Sequence, residues 1–149
     1  ICARTDEGPI CLFSEGNEFP VHLLEGNLNG GFALEWSSFG ILSGDFNGNA
    51  FYWPDNSKVQ TLNYGSNIED IKIVEKDLAV IVGDNGFMSF WDLRTNSIVY
   101  QADISGHEKR EVYSVSVNPS QNQLLLTGGE DEAVKIWDRR NLSAQLHKF

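Results

Sequence analysis

Apolar and polar positions alternate with period two along much of the chain, in short runs broken by tight turns, and that spacing predicts β-strands. The pattern is plainest near the C-terminal end. Val112-Tyr113-Ser114-Val115-Ser116-Val117 alternates, Asn118-Pro119 stops it, and Leu124-Leu125-Leu126-Thr127-Gly128-Gly129 follows. A turn at Glu130-Asp131-Glu132 then leads into Ala133-Val134-Lys135-Ile136-Trp137-Asp138. The same plan occurs twice more. Residues 68–74 and 78–82 precede a turn at Gly83-Asp84-Asn85-Gly86 and the run Phe87-Met88-Ser89-Phe90-Trp91-Asp92. Residues 32–36 and 40–43 precede Gly44-Asp45-Phe46-Asn47-Gly48 and the run Asn49-Ala50-Phe51-Tyr52-Trp53-Pro54. Asn-Gly dipeptides in two of these turns suit tight hairpins. No segment of about 12 residues or more carries helical periodicity, so the expected class is all-β.

The aromatic residue that closes each unit recurs regularly. Trp137 lies 46 residues after Trp91, Trp91 lies 38 after Trp53, and Trp53 lies 40 after Phe13. A period near 40 with several short strands per unit is the signature of β-propeller blades. The expected organisation is one propeller domain over residues 1–149. Within it, residues 1–24 end a preceding blade, and 25–63, 64–104 and 105–149 each form a blade. A closed ring takes about four to eight blades, and an open arc exposes strand edges. The chain also opens on Ile1, with Met88 its one methionine. The expectation is an arc of a larger ring, continued by more of the same chain or completed by another.

Gly106-His107, Thr127-Gly128-Gly129, Asp131 and Trp137-Asp138 resemble the WD-repeat signature, with Trp91-Asp92 a partial copy and Trp53-Pro54 and Phe13-Ser14 degenerate ones. The resemblance implies a propeller with a buried structural tetrad of His107, Thr127, Asp131 and Trp137. Such a chain of hydrogen bonds gives an indole N–H and an imidazole partners where water is excluded. The other two blades carry Gly26-Asn27 and Gly65-Ser66 in place of Gly-His. They are expected to rely more on apolar packing.

Composition narrows the functional classes. The 149 residues include 21 acidic and 11 basic ones, for a formal charge of −10. The excess is uneven: residues 1–24 carry −3, 25–63 carry −3, 64–104 carry −4, and 105–149 balance. No basic stripe is present to neutralise phosphates, which argues against direct nucleic-acid binding. No apolar run approaches the roughly 20 residues of a membrane-spanning helix, so no membrane partner is expected. Cys2 and Cys11 bracket a predicted hairpin turn and could face each other, although two buried thiols are the simpler reading. His22, His107 and His147 lie in different segments without metal-ligand spacing, and no nucleophile elbow, phosphate-cradling loop or dinucleotide fingerprint occurs. Neither catalysis nor a cofactor nor a metal is expected.

A closer resemblance covers nearly the whole chain. Trp137-Asp138-Arg139-Arg140-Asn141-Leu142 with Leu146-His147-Lys148-Phe149, Glu111-Val112 with Asn118-Pro119, Ile68-Glu69-Asp70-Ile71 and Gly31-Phe32-Ala33-Leu34-Glu35-Trp36 are similar to stretches of the retinoblastoma-binding type of histone-binding WD-repeat proteins. That resemblance implies a nuclear, non-catalytic subunit of chromatin-assembly, histone acetyltransferase or histone deacetylase complexes. It also implies that a basic histone tail is bound on an acidic face by Phe32, Glu69, Glu111 and Tyr113. Carboxylates there would pair with lysine or arginine, and the rings would take the cation or its methylene stem. Gly30 stands where that group usually has an acidic residue. Two further readings remain open. Trp91-Asp92-Leu93-Arg94 and Trp137-Asp138-Arg139-Arg140 match the Trp-Asp-x-Arg pattern of receptors that dock on a cullin ubiquitin ligase adaptor. Acidic WD-repeat proteins of ribosome assembly have similar stretches.

Overall fold

The computed structural model describes residues 2–3, 10–13, 16, 22–24, 29–54, 59–104 and 111–149. The described residues contain strands and turns but no helix, and every strand pairing is antiparallel. Strands β1 (Cys2–Ala3), β2 (Ile10–Leu12) and β3 (His22–Leu24) form a three-stranded sheet. A second sheet follows in chain order: β4 (Leu34–Ser37), β5 (Gly40–Gly44), β6 (Asn49–Trp53) and β7 (Gln60–Asn63). The third comprises β8 (Ile68–Glu75), β9 (Leu78–Gly83), β10 (Phe87–Asp92) and β11 (Ser97–Asp103). The fourth comprises β12 (Val112–Val117), β13 (Leu124–Gly129), β14 (Val134–Asp138) and β15 (His147–Lys148). Each four-stranded sheet is a meander, the form of a propeller blade. We refer to them as blades 1, 2 and 3.

The three tryptophans hold equivalent places on the third strands, Trp53 opposite Ile41, Trp91 opposite Ala79 and Trp137 opposite Leu125. Cys2 lies opposite Leu12 and Ala3 opposite Cys11, so the two cysteines are one position out of register rather than facing each other. The predicted turn between them falls outside the described residues.

Alternation feeds two cores from one strand. In β9, Ala79 and Ile81 join Leu42, Ala50, Tyr52 and Trp91 in the layer between blades 1 and 2. Val80 and Val82 point the other way, into the layer with Val112, Val115, Leu125 and Trp137 of blade 3. A strand buried on both faces reads as an unbroken apolar run, which is why 78–82 lacks polar residues. A third layer packs Ile10 and Leu24 against Ile41, Phe51 and Trp53. Tyr52 and Trp91 meet edge to face across the first of these layers, centroids 6.4 Å apart. Gly44 lets blade 2 approach closely, since a Cβ there would collide with Ile68.

The turns between second and third strands share one conformation. Gly48, Gly86 and Glu132 occupy matching places with φ of 79°, 72° and 60°. Glycine adopts this left-handed region freely, whereas Glu132 does so at a cost of roughly 1 kcal/mol.

Polar bonds also tie blade to blade. Asp70 Oδ1 accepts Lys72 Nζ at 2.6 Å, and its Oδ2 accepts the Val115 N–H at 3.0 Å in blade 3. Lys72 lies 3.7 Å from Glu35 of blade 1. Three adjacent first strands are thus linked by one chain of partly buried charges.

Candidate functional site

The site residues are positioned by a backbone bond that recurs in each blade. The Phe46 N–H donates to Gly30 O at 3.0 Å, Asp84 to Asn67 O at 3.4 Å, and Glu130 to Glu111 O at 2.9 Å. These bonds align Gly30, Asn67 and Glu111. They also place Phe32, Glu69 and Tyr113, each two residues later, at one equivalent position. In blades 2 and 3 that residue falls in a β-bulge, where register shifts between Ile68 and Asp70 and between Val112 and Ser114. A bulge frees one side chain from the ladder and re-aims it. The three positions face the same end of adjacent first strands, the end that carries the turns holding Phe46, Asp84 and Glu130.

Charge accumulates at this end. Asn67 Nδ2 donates to Glu69 Oε1 at 2.5 Å. Partial burial nonetheless pushes the Glu69 carboxyl above its ordinary range, with the Glu111 and Asp84 carboxylates adding to the rise. Lost solvation also raises the Tyr113 hydroxyl, and the charges of Glu111, Glu130 and Glu69 raise it further. Glu69, Glu111 and Tyr113 therefore share one electrostatic field, in which negative charge is crowded and a cation would relieve the strain. Phe32 sits one blade away. It is 69% exposed and meets the 42% exposed ring of Phe46 edge to face, centroids 5.0 Å apart.

Phe46, Asp84 and Glu130 escape a reading of the strands alone, because they lie in turns. Their signal is positional: each stands seven residues before Trp53, Trp91 or Trp137.

The proposed tetrad positions run through blade 3, from Asp131 in the turn at the acidic end to Trp137 near the far end of β14. Trp137 Nε1 donates to Thr127 Oγ1 at 2.8 Å in a buried bond. Asp131 accepts the Ala133 N–H at 3.3 Å and the Lys135 ammonium at 2.5 Å, and Lys135 is wholly buried. His107 lies outside the described residues. Replacing Trp137 with Phe would leave the Thr127 hydroxyl without the indole donor and open a small void. The expected loss is about 1–3 kcal/mol, read as a lower denaturation midpoint of the intact protein. An unchanged midpoint would deny this bond a structural role.

The blades without Gly-His, which are expected to rely more on apolar packing, also carry polar networks of their own. In blade 2, Asn85 stands where blade 3 has Asp131. Tyr64 Oη donates to Asn85 Oδ1 at 3.1 Å and accepts from Ser89 Oγ at 3.2 Å, and Gln101 Nε2 donates to Ser89 Oγ at 2.9 Å. Trp91 Nε1 donates to Asn96 Oδ1 at 3.2 Å, since Ile81 occupies the place of Thr127. In blade 1 the buried Asp45 accepts the Asn47 and Asn49 N–H groups at 3.0 and 2.7 Å and Asn49 Nδ2 at 3.0 Å. Polar turn ends packed between sheets must find partners, and these side chains supply them.

At the opposite end stand the two Trp-Asp-x-Arg motifs. Arg94 Nη2 donates to Asp92 at 3.1 Å, and Arg140 donates to both oxygens of Asp138. The Arg140 fork holds the Asp138 carboxyl down at about 2. Both arginines are exposed, and each is tethered by the aspartate of its own motif. Among the described residues, no three His, Cys, Asp or Glu side chains cluster to hold a metal.

Residues 98–138 match the family "WD domain, G-beta repeat". The chain is also 33% identical over 138 residues to the WD-40 repeat-containing protein MSI3 of Arabidopsis thaliana, an overlap covering 83% of this chain and 32% of MSI3. It thus spans about a third of the length of that relative. With antiparallel four-stranded meanders, equivalent third-strand tryptophans and this match, the chain is a stretch of WD-repeat β-propeller.

Proposed function

We propose that this chain belongs to a nuclear, non-catalytic histone-binding scaffold that serves chromatin-assembly or histone-modifying complexes. Its acidic end would grip a basic histone tail. The observation that carries this reading is the convergence of Glu69, Glu111 and Glu130 around Tyr113, with Asp84 beside Glu69, at one end of adjacent blades. Crowded carboxylates prefer a lysine or arginine to water-screened isolation, and the Tyr113 ring offers its face to the cation or its stem. The Asn67 Oδ1 atom, buried and without a donor among the described residues, adds an acceptor beside them. Similarity to MSI3 and resemblance to the retinoblastoma-binding type support the choice of a histone.

Binding of synthetic histone-tail peptides to the intact protein, measured by calorimetry at two salt concentrations, tests the reading. Affinity should fall as salt rises, because exposed charge pairs are screened. Salt-independent binding, or none, would overturn it. In a parallel pull-down, capture of the cullin adaptor through Arg94 and Arg140, or of ribosomal proteins, in preference to histones would favour those rival functions.

A further inference from the structure

The acidic end is not uniform from blade to blade. The three recurrent positions carry Asn67, Glu69 and Asp84 in blade 2, and Glu111, Tyr113 and Glu130 in blade 3. In blade 1 they carry Gly30, Phe32 and Phe46, with no charge at all. Phe46 takes the place of two carboxylates, and Gly30 leaves no side chain at the place of Glu111.

We propose that Phe32 and Phe46 form an apolar subsite next to the acidic one, so that the favoured ligand presents an apolar side chain beside its lysines or arginines. The proposal rests on the basic-tail reading above and adds a specificity to it. Two phenyl rings exposed to 69% and 42% on an otherwise polar, acidic face lose contact with water only when something apolar covers them. Their edge-to-face contact, at 76° between planes, sets them as two walls of one corner and not as a flat stack. Such a corner fits a branched aliphatic side chain better than an ammonium, because no carboxylate from blade 1 stands at these positions to pair with the charge. The adjoining carboxylates of blades 2 and 3 define the rest of the ligand: a partner with cations on one side and an apolar residue on the other.

The probe is a set of eight-residue synthetic peptides of Gly, Lys and Arg in which one Leu is moved through every position. Each is titrated by calorimetry into the intact protein and into its Phe46→Ala and Phe46→Asp variants, with folding checked by circular dichroism. In the wild type, one Leu position should bind about five- to tenfold tighter than the Leu-free parent. In Phe46→Ala the ratio of Leu peptide to parent should fall to about one. In Phe46→Asp, which restores the acidic residue of blades 2 and 3, Lys should replace Leu as the preferred residue at that position. If the parent peptide binds but no Leu position gains, or if the gain survives Phe46→Ala, the two rings merely cover each other and the subsite is disproved. If the wild type binds no peptide of the set, the basic-tail reading falls and the subsite falls with it.

Discussion

The Glu69→Lys, Glu111→Lys double variant of the intact protein will bind a basic tail peptide at least about a hundredfold more weakly than the wild type. Each carboxylate–cation pair in a partly desolvated site is worth roughly 1.5–3 kcal/mol, and reversal adds repulsion to the loss. The neutral variant, Glu69→Gln with Glu111→Gln, removes attraction alone and should lie between. Asp77→Lys is the control, because Asp77 sits in the turn between β8 and β9, at the far end of the same blade. Affinity should also fall as the solution is acidified. Glu69 titrates above the ordinary carboxylate range, so it takes up a proton and loses its hold on a cation earlier than an isolated glutamate would. Calorimetry across pH reads this directly. A well-folded double variant that binds like the wild type would show that the tail goes elsewhere.

A comparably large effect is expected on stability when Asp131 is replaced by Ala. Lys135 is fully buried and its ammonium lies 2.5 Å from Asp131, whose own side chain is 6% exposed. Removing the carboxylate strips a buried ammonium of its counter-charge, a change that costs about 3–5 kcal/mol. The Ala133 N–H loses its acceptor in the same substitution. Replacing both partners with uncharged residues of similar shape, Asp131→Asn with Lys135→Met, should recover most of the loss, since desolvation of the pair is then no longer required. Denaturation midpoints of the two variants decide the matter. Equal midpoints for Asp131→Ala and the wild type would mean that the pair does not hold blade 3 together.

The fold was legible because blades are local objects. Period-two alternation, turn dipeptides and the spacing of Trp53, Trp91 and Trp137 lie within single repeats, so the strands and their antiparallel order follow from short-range chemistry. The doubly apolar run at 78–82 even announces that β9 is covered on both faces. The resemblance to histone-binding WD-repeat proteins pointed to Phe32, Glu69, Glu111 and Tyr113, and the sequence shows them standing at the start of first strands. What it does not show is which turns stand beside them. Pairing within each blade brings Asp84 beside Glu69 and Glu130 beside Tyr113. Only stacking of the blades brings Glu69 and Glu111 into one field, and only the β-bulges aim those residues at a common end.

The buried polar groups divide in the same way. The tetrad positions could be picked out by motif, but the Lys135–Asp131 pair could not, because lysine in an alternating strand ordinarily faces water. Likewise the polar networks centred on Tyr64 and Asp45 use side chains from a linker and a turn that carry no recognised pattern. The sequence by itself determined the repeat, the strand order and the acidity of the chain, all properties of near neighbours. The tertiary structure alone decided how those charges converge and which polar side chains are sealed inside. Convergence depends on contacts between residues some 40 positions apart, and no periodicity within a single strand encodes them.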